Sequence, residues 1–302
     1  MGLLLVIVTA LFFPGIILRV KSMTSGRKGP GILQPWQNIW VLLHKDSVIS
    51  TTTSYIFRTA PVICLSTILC ALLLLPFPGA PSLFGFDGDF VFFAYLLALG
   101  KFLFILGALD TGSSFEGMGS NREAFYSMLV EPAFFILFGT LALLTGYISM
   151  QQIFESFQFT GHNSFIIGFI AVYLLVQIAM IENSRMPVDD PKTHLELTMV
   201  HEVMILDHSG FELALIHIGT ALKFAMYGAL VANFLIPVEW PVPTRIGLFL
   251  GIQVAFACLI GLMESFRARK KLAKNPQFIV TLSSIALVAF ILVLLITFKM
   301  IG

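Results

Sequence analysis

Charge is what this 302-residue chain has least of: Asp, Glu, Lys and Arg make up 12% of it, about half the roughly 25% of an ordinary soluble domain. Hydrophobic residues reach 57%, so the polar surface is too small to cover a core in water. Cysteine is scarce too. Cys64, Cys70 and Cys258 are the only three, with no Cys-x-x-Cys pair. An iron–sulfur cluster or a nickel–iron centre needs several thiolates at close spacing, so no redox cofactor and no metal are expected in this chain. Lone cysteines in apolar segments are most often small packing residues. No Rossmann or P-loop glycine pattern occurs, and no set of residues reads as catalytic. A net charge of +1 leaves no excess of basic residues for a nucleic-acid role.

What the chain has is long apolar runs, and its mean hydropathy is +0.92. Runs of about 20 residues cross the ~30 Å hydrocarbon core of a bilayer. Spans are expected at 2–19, 57–76, 90–109, 124–149, 164–182, 213–236, 244–264 and 277–298. They must be helical, because nothing in the bilayer core bonds to free backbone groups. The expected fold class is therefore an all-α integral membrane protein of about eight transmembrane helices in one membrane domain. The breaks are chemically sensible: Pro76-Phe77-Pro78-Gly79, Asp110-Thr111-Gly112 and Pro237 each follow an apolar run. The first run lacks a basic start and a small-residue cleavage site, so it reads as a helix rather than a signal peptide.

Loop lysines and arginines set the orientation. Arg19, Lys21, Arg27, Lys28, Lys45 and Arg58 surround the first loop, and Arg267, Arg269, Lys270, Lys271 and Lys274 fill the last. Loops 77–89 and 150–163 contain no Lys or Arg. Both termini are expected outside, with the long polar loops in the cytoplasm. Within the first loop, segment 31–46 is too short and polar to span. Ile32, Leu33, Trp36, Ile39, Trp40 and Leu43 recur at helical spacing, as in an interfacial amphipathic helix on the cytoplasmic surface; a loop with incidental aromatics is the alternative.

Charges inside apolar spans cost at least ~2.5 kcal/mol each near the bilayer centre and mark function by default. Lys101 and Lys223 fall mid-span, and Glu131 lies in the fourth span just before Pro132, which cannot bond back to the preceding turn. A desolvated carboxylate at such a break can take up and return protons. Asp110, Glu182 and Glu264 sit at the cytoplasmic ends of their spans. The six residues together have the layout of a proton half-channel. The competing reading is that the charges pair structurally and fix helix packing.

Loop 183–212 crowds six acids and three histidines into thirty residues. His194, His201 and His208 recur every seven residues, about 10 Å per step on a helix, too far apart to share one metal with bonds near 2 Å. A polar docking surface or proton funnel fits the segment better than a solvated loop.

Three motifs in order carry a family resemblance: Arg27-Lys28-Gly29-Pro30-Gly31-Ile32-Leu33-Gln34-Pro35; Asp110-Thr111-Gly112-Ser113-Ser114 with Ser120-Asn121-Arg122-Glu123 and Val130-Glu131-Pro132; and Glu182-Asn183-Ser184-Arg185-Met186-Pro187-Val188-Asp189 with Glu196-Leu197. The chain resembles the respiratory complex I subunit 1 family along nearly its whole length, with the second motif like that of the hydrogenase branch. That branch includes the membrane anchors of formate hydrogenlyase and other group 4 membrane-bound nickel–iron hydrogenases. The resemblance implies a prokaryotic inner-membrane anchor and ion-coupling subunit. Its partners would be a hydrogenase-like large subunit, an iron–sulfur small subunit and antiporter-like membrane subunits, the first two holding any nickel–iron centre and clusters. It further implies that Glu131, Glu182, Asp189, Glu196 and Glu202 line a passage beneath the docked arm, while Arg27, Arg122 and Arg185 hold loop and arm. Asp190 belongs with Asp189 to the docking loop. A quinone-reducing complex and a stand-alone ion transporter are the alternatives.

Overall fold

In the computed structural model the described residues are 2–157, 162–189, 199–267 and 272–298. Eleven α-helices cover most of them: α1 (Gly2–Thr24), α2 (Gln34–Leu43), α3 (Tyr55–Leu74), α4 (Asp89–Asp110), α5 (Ser114–Thr145), α6 (Met150–Ser156), α7 (His162–Glu182), α8 (His201–Met204), α9 (Gly210–Leu235), α10 (Val242–Phe266) and α11 (Asn275–Thr297). Among the described residues, eight helices are long and apolar enough to cross a membrane: α1, α3, α4, α5, α7, α9, α10 and α11. The protein is an all-helical, multi-pass membrane bundle. Many large apolar side chains point outward, among them Phe102, Phe169 and Val288, as expected where hydrocarbon is the solvent.

The centre of the bundle is α9, the most enclosed of the eight, with 78% of its apolar window buried. Helices α1, α3, α7 and α10 pack against it, and α4, α5 and α11 form the flank. Small residues let α3 and α4 approach closely. A Cβ added at Gly107 would lie 2.8 Å from the Ala60 Cβ, and one at Gly100 would collide with the Thr67 hydroxyl. This close seam brings Lys101, next to Gly100, into the interior.

The fourth span begins ten residues before the expected 124, at Ser114. Its first three turns are polar, yet Glu116, Ser120 and Glu123 are buried, so the helix continues through them inside protein rather than ending at water. It stops at Thr145, where Gly146 adopts φ 78°, a left-handed C-cap that glycine favours. The short α6 occupies part of what reads in sequence as loop 150–163. Buried Asp89 holds its start, accepting from the Met150 N–H at 2.7 Å and the Ser149 hydroxyl at 3.2 Å.

Segment 31–46 contains α2, a helix of ten residues with Pro35 in its first turn. It buries Ile39 and leaves Trp40 exposed. The histidine stripe is corrected: α8 is a single turn, His201 heads it and His208 lies in the turn beyond. His194 lies outside the described residues.

Candidate functional site

Helices α4, α5, α7 and α9 each contribute one or more charges to a single interior cluster. Lys101 of α4 sits between two carboxylates, 2.8 Å from Glu182 Oε2 at the end of α7 and 3.2 Å from Glu123 Oε1 of α5. All three side chains are at most 10% exposed. A buried ion needs a close counterion to offset its desolvation, and Lys101 has two. Lys223 of α9 supplies the second positive charge, lining one cavity together with Lys101, Glu123 and Glu182. Two lysines therefore face two glutamates.

The Lys101–Glu182 pair stands between two small cavities and lines both. One, of about 30 Å³, is bounded by Glu131, Ser127 and Tyr227 among apolar walls. The other, of about 40 Å³, is bounded by Lys223, Glu123, Asn183 and His201. Each has room for a water molecule or so. Glu131 thus stands across a water-sized space from Lys101 and Glu182.

Of the six residues expected on a proton path, the structure gathers four: Glu131, Lys101, Glu182 and Lys223. It places the other two elsewhere. Asp110 accepts from the backbone N–H groups of Ser54 at 2.6 Å and Phe57 at 3.4 Å, satisfying the free donors that open α3. Glu264 of α10, buried, is clamped between Lys21 at 3.4 Å and Arg185 at 3.2 Å, joining α1 to the loop after α7. Glu123 and Tyr227 belong to the cluster as well, although neither is among the six. Glu123 is polar beside polar Arg122, with nothing in its neighbours to distinguish it from a solvated helix start. Tyr227 follows Lys223 by four residues, one helical turn, and that spacing is the signal the sequence offers for it.

The docking candidates are placed as follows. Arg122 donates to the Met199 carbonyl at 2.9 Å. Arg185 lies 5.1 Å from the centroid of the Phe224 ring besides pairing with Glu264. Asp189, 1% exposed, accepts from the His201 N–H at 3.0 Å. Glu202 is half-buried on α8, and Arg27 is exposed. Asp190 and Glu196 lie outside the described residues. Both ends of the loop thus turn inward, tied to α5 and α8.

Two histidines of this region are held neutral. Burial pushes His201 down to about 3, helped by the charges of Lys223, His217, Lys101 and Arg185. Burial likewise pushes His208 down to about 4. His208 stacks on Phe57, ring centroids 4.0 Å apart, and the Phe104 ring lies 5.6 Å from His201 and 6.1 Å from His208. Among the described residues no group of three or more His, Cys, Asp or Glu converges as metal ligands would.

Such a molecule is a multi-pass helical membrane protein organised round a buried lysine–glutamate cluster. The chain belongs to the NADH dehydrogenase family, whose profile matches residues 1–296. It is 32% identical to hydrogenase-4 component C of Escherichia coli over 78% of this chain and 73% of that one. It is 27% identical to formate hydrogenlyase subunit 4 of the same organism, over 92% of each. A subunit of the NADH-quinone oxidoreductase of Bordetella petrii is 23% identical, over 79% of this chain and 70% of that one. In three dimensions the chain superposes with a TM-score of 0.81 on a chain of the membrane-bound sulfane sulfur reductase, an archaeal respiratory membrane complex. That match covers 97% of this chain and 98% of the other at 18% identity.

Proposed function

We propose that this chain is the membrane anchor and ion-coupling subunit of an energy-converting oxidoreductase complex of the hydrogenase-4 or formate hydrogenlyase kind. The observation that carries the reading is the Lys101–Glu182 pair dividing two water-sized cavities, with Glu131 on one side and Lys223 on the other. Protonating Glu182 removes the charge that holds Lys101, leaving the ammonium to Glu123. Glu131 then becomes the neighbouring site to which a proton moves through the first cavity. This chain supplies the relay and the seat for the arm, while electrons pass through its partners.

Those partners are a hydrogenase-like large subunit and an iron–sulfur small subunit on the cytoplasmic side, with antiporter-like subunits beside it in the membrane. Any nickel–iron centre and iron–sulfur clusters belong to the arm. The complex sits in a prokaryotic inner membrane, with both ends of this chain outside and the α2, α8 and 183–212 side facing the cytoplasm, where the basic loops lie.

The test is to purify the tagged chain in mild detergent, identify what accompanies it, and measure nickel and iron. Iron–sulfur and antiporter-like subunits together with nickel are the expected result. The same partners with iron and no nickel would move the assignment to a hydrogenase-related complex without hydrogen chemistry. A lone chain with neither partners nor metal would overturn it.

A further inference from the structure

Glu116, in the first turn of α5, is 1% exposed, and among the described residues neither of its carboxylate oxygens has a hydrogen-bond partner. A glutamate three residues after the N-cap ordinarily closes a capping box by accepting from the N-cap N–H. Ser113 and Glu116 have that spacing. Here the Ser113 N–H donates to the Thr111 hydroxyl instead, at 3.2 Å, so Glu116 is released from capping. An ionised carboxylate left so in the interior is costly, and taking up a proton removes that cost. Three more polar residues share its face of α5. Ser120, Glu123 and Ser127 follow at i+4, i+7 and i+11, and all three are buried. The hydroxyls of Ser120 and Ser127 also have no partner among the described residues. Glu123 is a carboxylate partner of Lys101, and Ser127 lines the cavity of Glu131. At 1.5 Å per residue, Glu116 to Ser120 is about 6 Å along the axis and Ser120 to Glu123 about 4.5 Å. One water bridges a gap of that size. The stripe therefore runs from the end of α5 that meets α8, where a Cβ added at Gly119 would lie 2.8 Å from the Val200 carbonyl, into the charge cluster.

We propose that Glu116 is the proton-loading residue of a side entry to the relay. It takes up a proton at the α8 end of the bundle and hands it along α5, by way of the Ser120 hydroxyl, to Glu123. This role rests on the relay reading, and it gives the relay an entry separate from the acids of loop 183–212. One proton is carried throughout. Ser120 accepts the proton of the Glu116 carboxyl as it donates its own to Glu123, and Glu116 is reloaded from water. A protonated Glu123 leaves Lys101 to Glu182. Both carboxylates line one cavity with Lys101. When the proton crosses that cavity to Glu182, the ammonium returns to Glu123, which is ready for the next.

The experiment reconstitutes the tagged full chain with its accompanying subunits in vesicles and follows coupled proton transfer in Glu116→Gln, Glu116→Asp, Ser120→Val and Glu131→Gln. Glu116→Gln should lower transfer by about 100-fold, as for the loss of one positioned proton carrier, while the melting temperature holds or rises. Glu116→Asp keeps the acid and should restore most of the transfer. Infrared difference spectra should show the carbonyl band of a protonated carboxylic acid changing during turnover in wild type, and Glu116→Gln should lack it. Ser120→Val interrupts the same step without touching a charge, and serves if Glu116→Gln fails to assemble. Normal transfer in Glu116→Gln beside blocked transfer in Glu131→Gln would overturn the entry and leave the relay standing. Normal transfer in both would remove the relay itself. Equal loss in Glu116→Gln and Glu116→Asp, with the infrared band unchanged, would assign Glu116 to packing and overturn the proposal.

Discussion

Lys101 and Glu182 meet at 2.8 Å, each exposed by no more than about a tenth, and the pair forms a wall common to two cavities that hold different charges. A salt bridge in that position cannot be changed without altering both sides at once. Removing one partner of a buried pair leaves the other uncompensated, at a cost of about 3–5 kcal/mol. Lys101→Met should therefore destabilise the protein more than Glu182→Gln, because it strands two carboxylates where the latter leaves Lys101 with Glu123. The double variant should regain part of the lost melting temperature and still fail to transfer protons. A double variant no more stable than Lys101→Met would show that the pair is not an energetic unit.

Glu131 lies across the first cavity from that pair and is only half-buried. Glu131→Gln keeps its size and leaves Lys101 paired. Assembly should be normal, and coupled ion transfer in reconstituted vesicles should fall, on the order of 100-fold if a single positioned proton acceptor is lost. Normal transfer in this variant would remove Glu131 from the route.

The span pattern, the short helix between the first two spans and the mid-span charges were legible in sequence because lipid imposes simple rules of length and cost. The grouping within the cluster was not. Asp110 and Glu182 both end an apolar run before a turn, and nothing along the chain separates them. Only packing shows that Asp110 meets the open backbone of α3 while Glu182 meets Lys101. The start of α5 was hidden for the same reason, since a polar helix turn buried in protein reads like one in water. Glu264 shows the limit from the other side: its partners, Lys21 and Arg185, are 243 and 79 residues away.

Asp189 is a candidate for docking, yet its carboxylate faces inward to the His201 backbone N–H. Asp189→Asn should thus lower the stability of the chain itself, by about 1–3 kcal/mol for a charged bond made at a buried site, and weaken arm retention only in step with that loss. Co-purification that collapses while the melting temperature of the chain is unchanged would mean instead that Asp189 contacts the arm directly.

His208 is buried, stacked flat on Phe57, and neither ring nitrogen has a hydrogen-bond partner among the described residues. An imidazole in that position gives up hydration without replacement, a cost of about 1–3 kcal/mol. His208→Phe should keep the stack and raise the melting temperature at pH 7.5. The pH dependence has a definite sign. With its folded pKa lowered to about 4 from an ordinary value near 6.5, His208 binds its proton more readily when unfolded. Its contribution is therefore intact above about pH 6.5 and is lost as pH falls toward 4. His201, lowered to about 3, adds a second loss of the same sign over an overlapping range. Melting temperatures of wild type and His208→Phe should then diverge as pH is lowered from 7.5 to 5, with the variant falling less steeply. Parallel curves would mean that His208 finds a proton-accepting partner in the assembled complex, which would make it a contact of the arm rather than a buried ring.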